Sequence, residues 1–495
     1  MTSINATESR HVSEILVLGV SRDSKSKKLR IENSGVAVDE RALLDALTEL
    51  AATGATDEIT KIPGKSGKLV VVTGLGSSLS NYSHEVLRRA AGAAARSLAG
   101  SNSATFSLPH SDAQGFAAIA EGALLGSYLF DQFKGATKKD QRAPLTKITI
   151  HSTHARGVNA QTILSRASVI AKYTHIVRDL INTPPSHLTP STFVAEFKKL
   201  AGSRVKVEIL NEVQLKKGGY GGIIGVGQGS ANPPRLLRLS YAPKGAKRRL
   251  ALVGKGITFD TGGLALKPAQ GMEAMKSDMS GAAAVCAAAL AIAELKLPIA
   301  IDAWAPLAEN MVSDTATRPS DIITIYGGKT VEVLNPDAEG RLILADGLVR
   351  ATEVGKKAGG LDGIIDVATL TGAQVVALGT RTSAAMTNND EFREKFLTVA
   401  SQTGEAFWPM PLPEELRASL DSPVADIANI GERMGGMLVA GLFLKDFVDP
   451  EIPWLHLDIA GPAYNESKAH GYTPVGGTGV ALRTLVAFAQ ATSTR

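Results

Sequence analysis

The chain of 495 residues has one cysteine, Cys286. That excludes a disulfide scaffold and every cysteine-rich zinc module. No apolar h-region follows the N-terminus, so no secretory leader is expected there. The longest apolar run, Ala282 to Ala293, is mostly alanine and stops at Glu294, too short and too weakly apolar for a bilayer. Charge of one sign is also scarce. Lys and Arg total 53 against 48 acidic residues, and a net +5 over this length is too dilute for a nucleic-acid footprint. What is abundant is apolar side chain, at 44%, enough for large cores and against disorder. The length suggests two to three domains at about 150 residues each. A reducing compartment, most simply the cytoplasm, is the expected location.

Short β-rich runs at Ile15–Val20, Lys68–Thr73 and Ile148–Ile150 alternate with helical stretches at Arg41–Ala52, His84–Ala99 and Gly115–Phe133. Such alternation predicts an α/β layer with a largely parallel sheet. Lys134–Pro144 is polar and reads as a loop. A helix from about Gln161 to Ile181 runs into Pro184-Pro185, which stop it. A boundary near residue 170 gives two domains, 1–170 and 171–495. In the second, Leu250–Val253, Ile299–Ala305, Gly363–Val367 and Trp454–Ile459 are apolar runs suited to a sheet covered on both faces. Ile322–Tyr326 and Val331–Leu334 flank a Gly327-Gly328 turn and predict a hairpin. Ser280–Leu295 and Arg341–Thr352 have helical composition. The expected whole is α/β: a smaller N-terminal domain, and a larger C-terminal one with a mixed, mostly parallel central sheet covered by helices.

Two segments carry the chemistry. One is Gly254-Lys255-Gly256-Ile257-Thr258-Phe259-Asp260-Thr261-Gly262-Gly263, continuing through Lys267 to Met275-Lys276-Ser277-Asp278. The other is Asn335-Pro336-Asp337-Ala338-Glu339-Gly340-Arg341-Leu342. Lys255 and Asp260 follow an apolar strand, where sites lie in open α/β sheets. Asp337 and Glu339 at i and i+2 point the same way if that stretch is extended. Four carboxylates that converge cannot all stay ionised without cations. Neither segment holds one of the nine histidines. An oxygen-rich donor set suits Mg²⁺ or Mn²⁺, and also a two-zinc site. The general base must then be a carboxylate, a metal hydroxide or a bound anion, and Arg341 could clamp such an anion or a developing oxyanion. Plainer explanations stand beside these. An isolated Asp278 before a helix more often caps it than binds metal, and Asp337 and Glu339 alone could be a charged helix start.

The second segment closely resembles the signature of the leucyl (cytosol) aminopeptidase family, and Lys255–Asp260 and Met275–Asp278 match that family's other metal-binding stretches. Asn310-Met311, Arg318–Asp321, Asp366–Ala373 and Trp454–Gly461 match as well, in family order. The likeness runs from about Arg178 to the C-terminus. It implies a two-domain metal-dependent aminopeptidase that releases N-terminal residues, leucine-type and other apolar ones preferred, in peptide turnover. It implies two divalent ions per subunit, Mn²⁺ or Zn²⁺. Asp260, Asp337 and Glu339 would bind one, and Lys255, Asp260, Asp278 and Glu339 the other. Lys267 would stabilise the tetrahedral intermediate, and Arg341 would hold a bicarbonate ion as general base for attack by a metal-activated water. Met275, Thr369 and Gly372 would line the side-chain pocket. Family members assemble as hexamers, and the variable N-terminal domain would serve assembly or access. One departure is Pro336, where most members carry Thr; proline removes a backbone donor and restricts Asn335 to extended geometry.

Two other function classes compete. Some bacterial family members bind DNA, and the basic clusters Arg88-Arg89 and Lys244–Arg249 could serve that, although solvated surface is the simpler expectation. A degenerate hydrolase kept as a structural oligomer is disfavoured by the intact set of site residues. A phosphoesterase would be expected to use His ligands. Gly218–Gly229 fits no phosphate-loop pattern and reads as turn-rich backbone. His456 and Asp458 read as buried, satisfied residues, and Cys286 as a small core residue on a helix.

Overall fold

A computed structural model describes the chain apart from residues 1, 11, 13–14, 65–67, 154, 156–157 and 494–495. It divides into two compact units: Met1–His175 with Glu466–Val475, and Ile176–Asn465 with Gly476–Arg495. The division falls inside the long helix Val158–Asn182. The sequence suggested an unbroken second domain; instead Glu466–Val475 packs with the first unit, where Tyr472 donates to Glu85 and Gly471 O accepts from Arg96.

The first unit is a seven-stranded, mostly parallel sheet with helices His84–Ser97 and Ala113–Gly126. Its strands include Ile15–Arg22, Leu69–Ser77 and Lys147–His151. Helix Ala113–Gly126 stops well before the expected Phe133. The Ser127 hydroxyl turns back onto Ala123 O, and a Cβ on Gly126 would lie 2.3 Å from Gly92 O. Arg88 is not solvated surface: it is buried and paired with Glu85 and Glu121.

The second unit is built on a nine-stranded mixed sheet. Five strands position the site: β1 (Arg249–Gly254), β2 (Gly256–Asp260), β3 (Ala300–Asn310), β4 (Gly363–Ala368) and β5 (Trp454–Asp458). β1 pairs in parallel with β3 and β4, β4 with β5, and β2 continues along β3. The helices packed around it include α1 (Ser280–Glu294), α2 (Gly340–Lys357) and α3 (Gly436–Lys445). Ala251, Val253, Ile364 and Trp454 share a core with Leu342, Leu348 and Phe443, which puts α2 and α3 on one sheet face. By strand alternation Leu250 and Leu252 face the other way. The apolar helix α1, with Cys286 in it, is buried throughout its first fourteen residues, so protein takes up its apolar surface. Helix α1 lies very close to the sheet. A Cβ on Gly281 would meet Val367 O at 2.0 Å, and one on Gly254 would meet Gly281 O at 2.4 Å; only glycine allows that approach.

Asp321–Thr324 and Thr330–Val333 form the expected antiparallel hairpin, with Gly327 and Gly328 at φ of 96° and 102°. The glycine-rich stretch is not simple turn. It forms short helices Glu212–Gly218 and Gly221–Gly227, and a Cβ on Gly222 would lie 2.2 Å from Leu342 O in α2. The basic run Lys244–Arg249 is partly neutralised, since Arg248 pairs with Asp362 and Arg249 with Asp302.

Candidate metal centre

The site residues gather at the carboxyl ends of the parallel strands. Lys255 stands at the break between β1 and β2, where its N–H bonds Val367 O on β4. Asp260 ends β2. Its Oδ1 accepts from Gly262 N–H and from Asn310 Nδ2, each at 2.8 Å. Asn310 ends β3 and also donates to Pro336 O at 3.2 Å. One asparagine thus ties the two sequence segments together.

Asp278 does not cap the helix that follows it. Met279 holds the cap position of α1, with no side-chain cap. The Asp278 carboxylate instead accepts from Lys255 Nζ and from Thr369 Oγ1, each at 2.8 Å. Asp337 and Glu339 converge by a turn rather than by strand alternation: Asn335 Oδ1 accepts from Asp337 N–H at 2.9 Å, and Glu339 opens α2. Among the described residues, Asp260, Asp337 and Glu339 each offer an oxygen, all within 4.8 Å of one another.

Four carboxylates therefore surround two ammonium groups. Lys255 Nζ lies 2.8 Å from Asp278 and 2.9 Å from Glu339, and Lys267 Nζ lies 2.8 Å from Asp260 and 2.5 Å from Asp337. Burial alone would favour a neutral Lys255, but Asp278, Glu339 and Asp260 together raise its pKa. Burial likewise acts against the charge on Lys267, and Asp260 and Glu339 outweigh it. Burial pushes the Asp278, Glu339 and Asp337 carboxyls up. The lysines leave half the carboxylates uncompensated. Glu339 Oε2 is buried with no hydrogen-bond donor, and Asp278 Oδ2 is close to Lys255 Nζ but outside hydrogen-bond geometry. A carboxylate-rich donor set with surplus negative charge and unpartnered buried oxygens fits divalent cations.

Arg341, in the first turn of α2, donates to Asn429 O at 2.7 Å and lies 5.9 Å from the Phe443 ring centroid. Burial lowers its pKa to about 10 against the pull of Glu339 and Asp458. Thr369 and Gly372 follow β4. Gly372 is exposed, and a Cβ there would meet no atom within 4 Å, which leaves open space beside it. Met275 is half-buried on the short helix Met272–Ser277.

Asn429 was not foreseen. Fully buried, it accepts from Leu334 N–H at 2.8 Å and Asn335 N–H at 3.2 Å, and donates to Asn335 O at 2.7 Å. A lone asparagine carries no motif. The peptide bond before Pro336 is trans, and Pro336 Cβ would crowd a Cβ at position 263, at 3.2 Å, so glycine there leaves the proline room.

The catalytic domain of the cytosol aminopeptidase family matches residues 175–486, and that family's N-terminal domain matches residues 17–137. A protein of Streptomyces avermitilis described as a "probable cytosol aminopeptidase" is 50% identical, with 100% of this chain and 98% of that one covered. A counterpart in Nocardia farcinica is 49% identical over 96% and 94% of the two chains. Among solved structures, the bottromycin maturation enzyme BotP in complex with Mn superposes with a TM-score of 0.85 at 35% identity, covering 97% of this chain and 100% of that one. A tomato leucine aminopeptidase mutant gives 0.87 at 32% identity, covering 99% and 97%. The chain belongs to the cytosol aminopeptidase family and is a metal-dependent aminopeptidase.

Proposed function

We propose that this enzyme removes N-terminal residues, apolar ones preferred, from peptides with a free amino terminus, using two divalent ions and a bicarbonate bound at Arg341. The observation that carries the proposal is the convergence of Asp260, Asp278, Asp337 and Glu339 around only two ammonium groups. Asp260, Asp337 and Glu339 would hold one ion; Asp260, Asp278 and Glu339 would hold the other together with Lys255, whose amine can join only once the ion has displaced its ammonium proton, with Asp260 and Glu339 shared. Such ions supply Lewis-acid polarisation of the carbonyl and a water acidic enough to attack at neutral pH.

The protein's own groups do the rest. The shared carboxylates and the unpaired charge around them select a substrate whose terminal amine is free. The Lys267 ammonium stabilises the oxyanion that develops on the scissile carbonyl. Arg341 holds the anion that takes the proton of the attacking water. Met275, Thr369 and the open space at Gly372 receive the N-terminal side chain, which favours apolar residues.

We assign catalysis to residues 171–495, and assembly or access to residues 1–170. A homohexamer in the cytoplasm, loaded with Mn²⁺ or Zn²⁺, completes the proposal. Hydrolysis of leucine anilide and of its N-acetyl analogue tests it, in chelated protein and after adding Mn²⁺ or Zn²⁺, with and without bicarbonate. The expected result is cleavage of the free-amine substrate alone, lost on chelation, restored by metal and raised by bicarbonate. Equal cleavage of the acetylated substrate, or indifference to bicarbonate, would refute the corresponding part.

A further inference from the structure

The Asp278 carboxylate uses its two oxygens unequally. Oδ1 accepts from the Thr369 hydroxyl and from Lys255 Nζ, each at 2.8 Å. An ionised carboxylate only accepts, so the hydroxyl is the donor, and the two donors occupy both lone pairs of that oxygen. Oδ2 is buried and, though near the same Nζ, accepts no hydrogen bond. Glu339 repeats the pattern: Oε1 lies 2.9 Å from Lys255 Nζ, and Oε2 is buried with no donor. The Lys255 ammonium has one more contact, Thr369 O at 2.8 Å. Thr369 therefore touches two of the side chains assigned to one ion, the first through its hydroxyl and the second through its carbonyl.

Thr369 is itself fixed from outside the site. β4 pairs with β1 so that Val367 stands opposite Gly254, which brings the residues leaving β4 up beside Lys255. Just before Thr369, Ala368 stands in register with Asp458 at the end of β5. Just after it, that same Asp458 accepts from Leu370 N–H at 3.1 Å and from the Thr371 hydroxyl at 2.8 Å. The backbone is held on both sides of Thr369, and a β-branched side chain has little freedom about χ1. The sheet, rather than the acidic cluster, thus aims the hydroxyl at Asp278.

We propose that Thr369 is a positioning residue for the ion that Asp278 serves. Its hydroxyl engages Asp278 Oδ1 and so presents Oδ2, and its carbonyl steadies the Lys255 side chain beside it. The resemblance places Thr369 in the pocket for the N-terminal side chain; in the structure its hydroxyl is committed to a carboxylate. The proposal rests on the two-ion reading above and adds an uncharged residue to it. Partners that orient a ligand without touching the ion typically set metal affinity by about 10–100-fold.

Two substitutions isolate the hydroxyl. Thr369→Val keeps the shape and removes the donor; Thr369→Ser keeps the donor. Chelated, metal-free protein is titrated with Mn²⁺, with the free ion followed by electron paramagnetic resonance, and KM and kcat for leucine anilide are measured on the loaded protein. Wild-type protein should show two dissociation constants. In Thr369→Val one of them should rise about 10–100-fold while the other moves much less, and Thr369→Ser should bring it back toward the wild-type value. If Thr369→Val does not melt cooperatively, Thr369→Ala replaces it with the same expectation. Two wild-type constants in Thr369→Val, with KM alone altered, would overturn this proposal and leave Thr369 to the side-chain pocket. Equal weakening in the Val and Ser variants would overturn it as well, because the hydroxyl would then not matter. A single Mn²⁺ bound by wild-type protein would overturn it together with the two-ion reading on which it rests.

Discussion

Lys255 Nζ lies 2.9 Å from Glu339 Oε1, in a pair whose side chains are almost wholly shielded from water. β1 ends at Gly254 and α2 begins at Gly340, so the pair pins the start of a helix to the end of a central strand. Closeness is enforced by glycine: a Cβ on Gly340 would lie 2.5 Å from Lys255 Cε. Breaking one partner of a buried pair leaves an uncompensated charge, typically costing about 3–5 kcal/mol. Lys255→Met should therefore destabilise chelated protein by about that much, measured by urea unfolding. Added Mn²⁺ should recover part of the loss. A chelated variant as stable as wild type would show that the pair contributes nothing.

Lys267 is a different case. Its side chain is partly exposed, between Asp260 and Asp337. Lys267→Met should lower kcat about 10²–10³-fold, the usual loss for one oxyanion donor, with little change in KM or melting temperature. A rise in KM at constant kcat would assign it to substrate binding instead.

Asn429 holds both ends of the Leu334–Asn335 backbone and, through its own carbonyl, Arg341. Asn429→Ala leaves buried donors and an acceptor without partners. We expect a loss of at least about 2 kcal/mol in unfolding free energy and a kcat reduced along with it. An unchanged kcat would separate this clamp from the chemistry.

Asp346 on α2 is wholly buried. Its oxygens accept from Ile223 N–H and Tyr326 N–H, each at 2.7 Å, which ties the glycine-rich helix and the hairpin to α2. Burial pushes its carboxyl up to about 7, against the pull of those backbone donors. The unfolded chain releases this proton near pH 4. Between about pH 4 and 7 the folded state holds a proton that the unfolded state has lost, so this group's contribution to stability falls as pH rises and levels off above 7. The stability of wild type relative to Asp346→Asn should therefore be greater at pH 5 than at pH 8. A difference independent of pH would contradict the shift.

The α/β class, the long helix that carries the division between units, the central strands and the Gly327-Gly328 hairpin were legible because each rests on local periodicity or on one turn. So was the acidic cluster, since its members fall in two short segments. Tertiary facts were not legible. The approach of Asp337 to Glu339 depends on the Asn335 side chain closing a turn, where the i and i+2 spacing suggested a strand. Asp278 looked like a cap because its true partners, Lys255 and Thr369, are distant in sequence. Arg88 looked solvated because Glu121 lies on another helix. His456 looked satisfied because nothing in the strand's composition shows that Asp366 meets only one of its nitrogens.

The metal count of variants tests the account most directly. Wild-type protein, dialysed against limiting chelator and assayed by elemental analysis, should hold two divalent ions per subunit. Asp337→Asn and Asp278→Asn should each hold about one, since in the proposed arrangement each carboxylate would serve a single ion, and Asp260→Asn or Glu339→Gln should hold close to none. If Asp337→Asn and Asp278→Asn both kept two ions, or if wild type held only one, the division of ligands between two ions would be wrong.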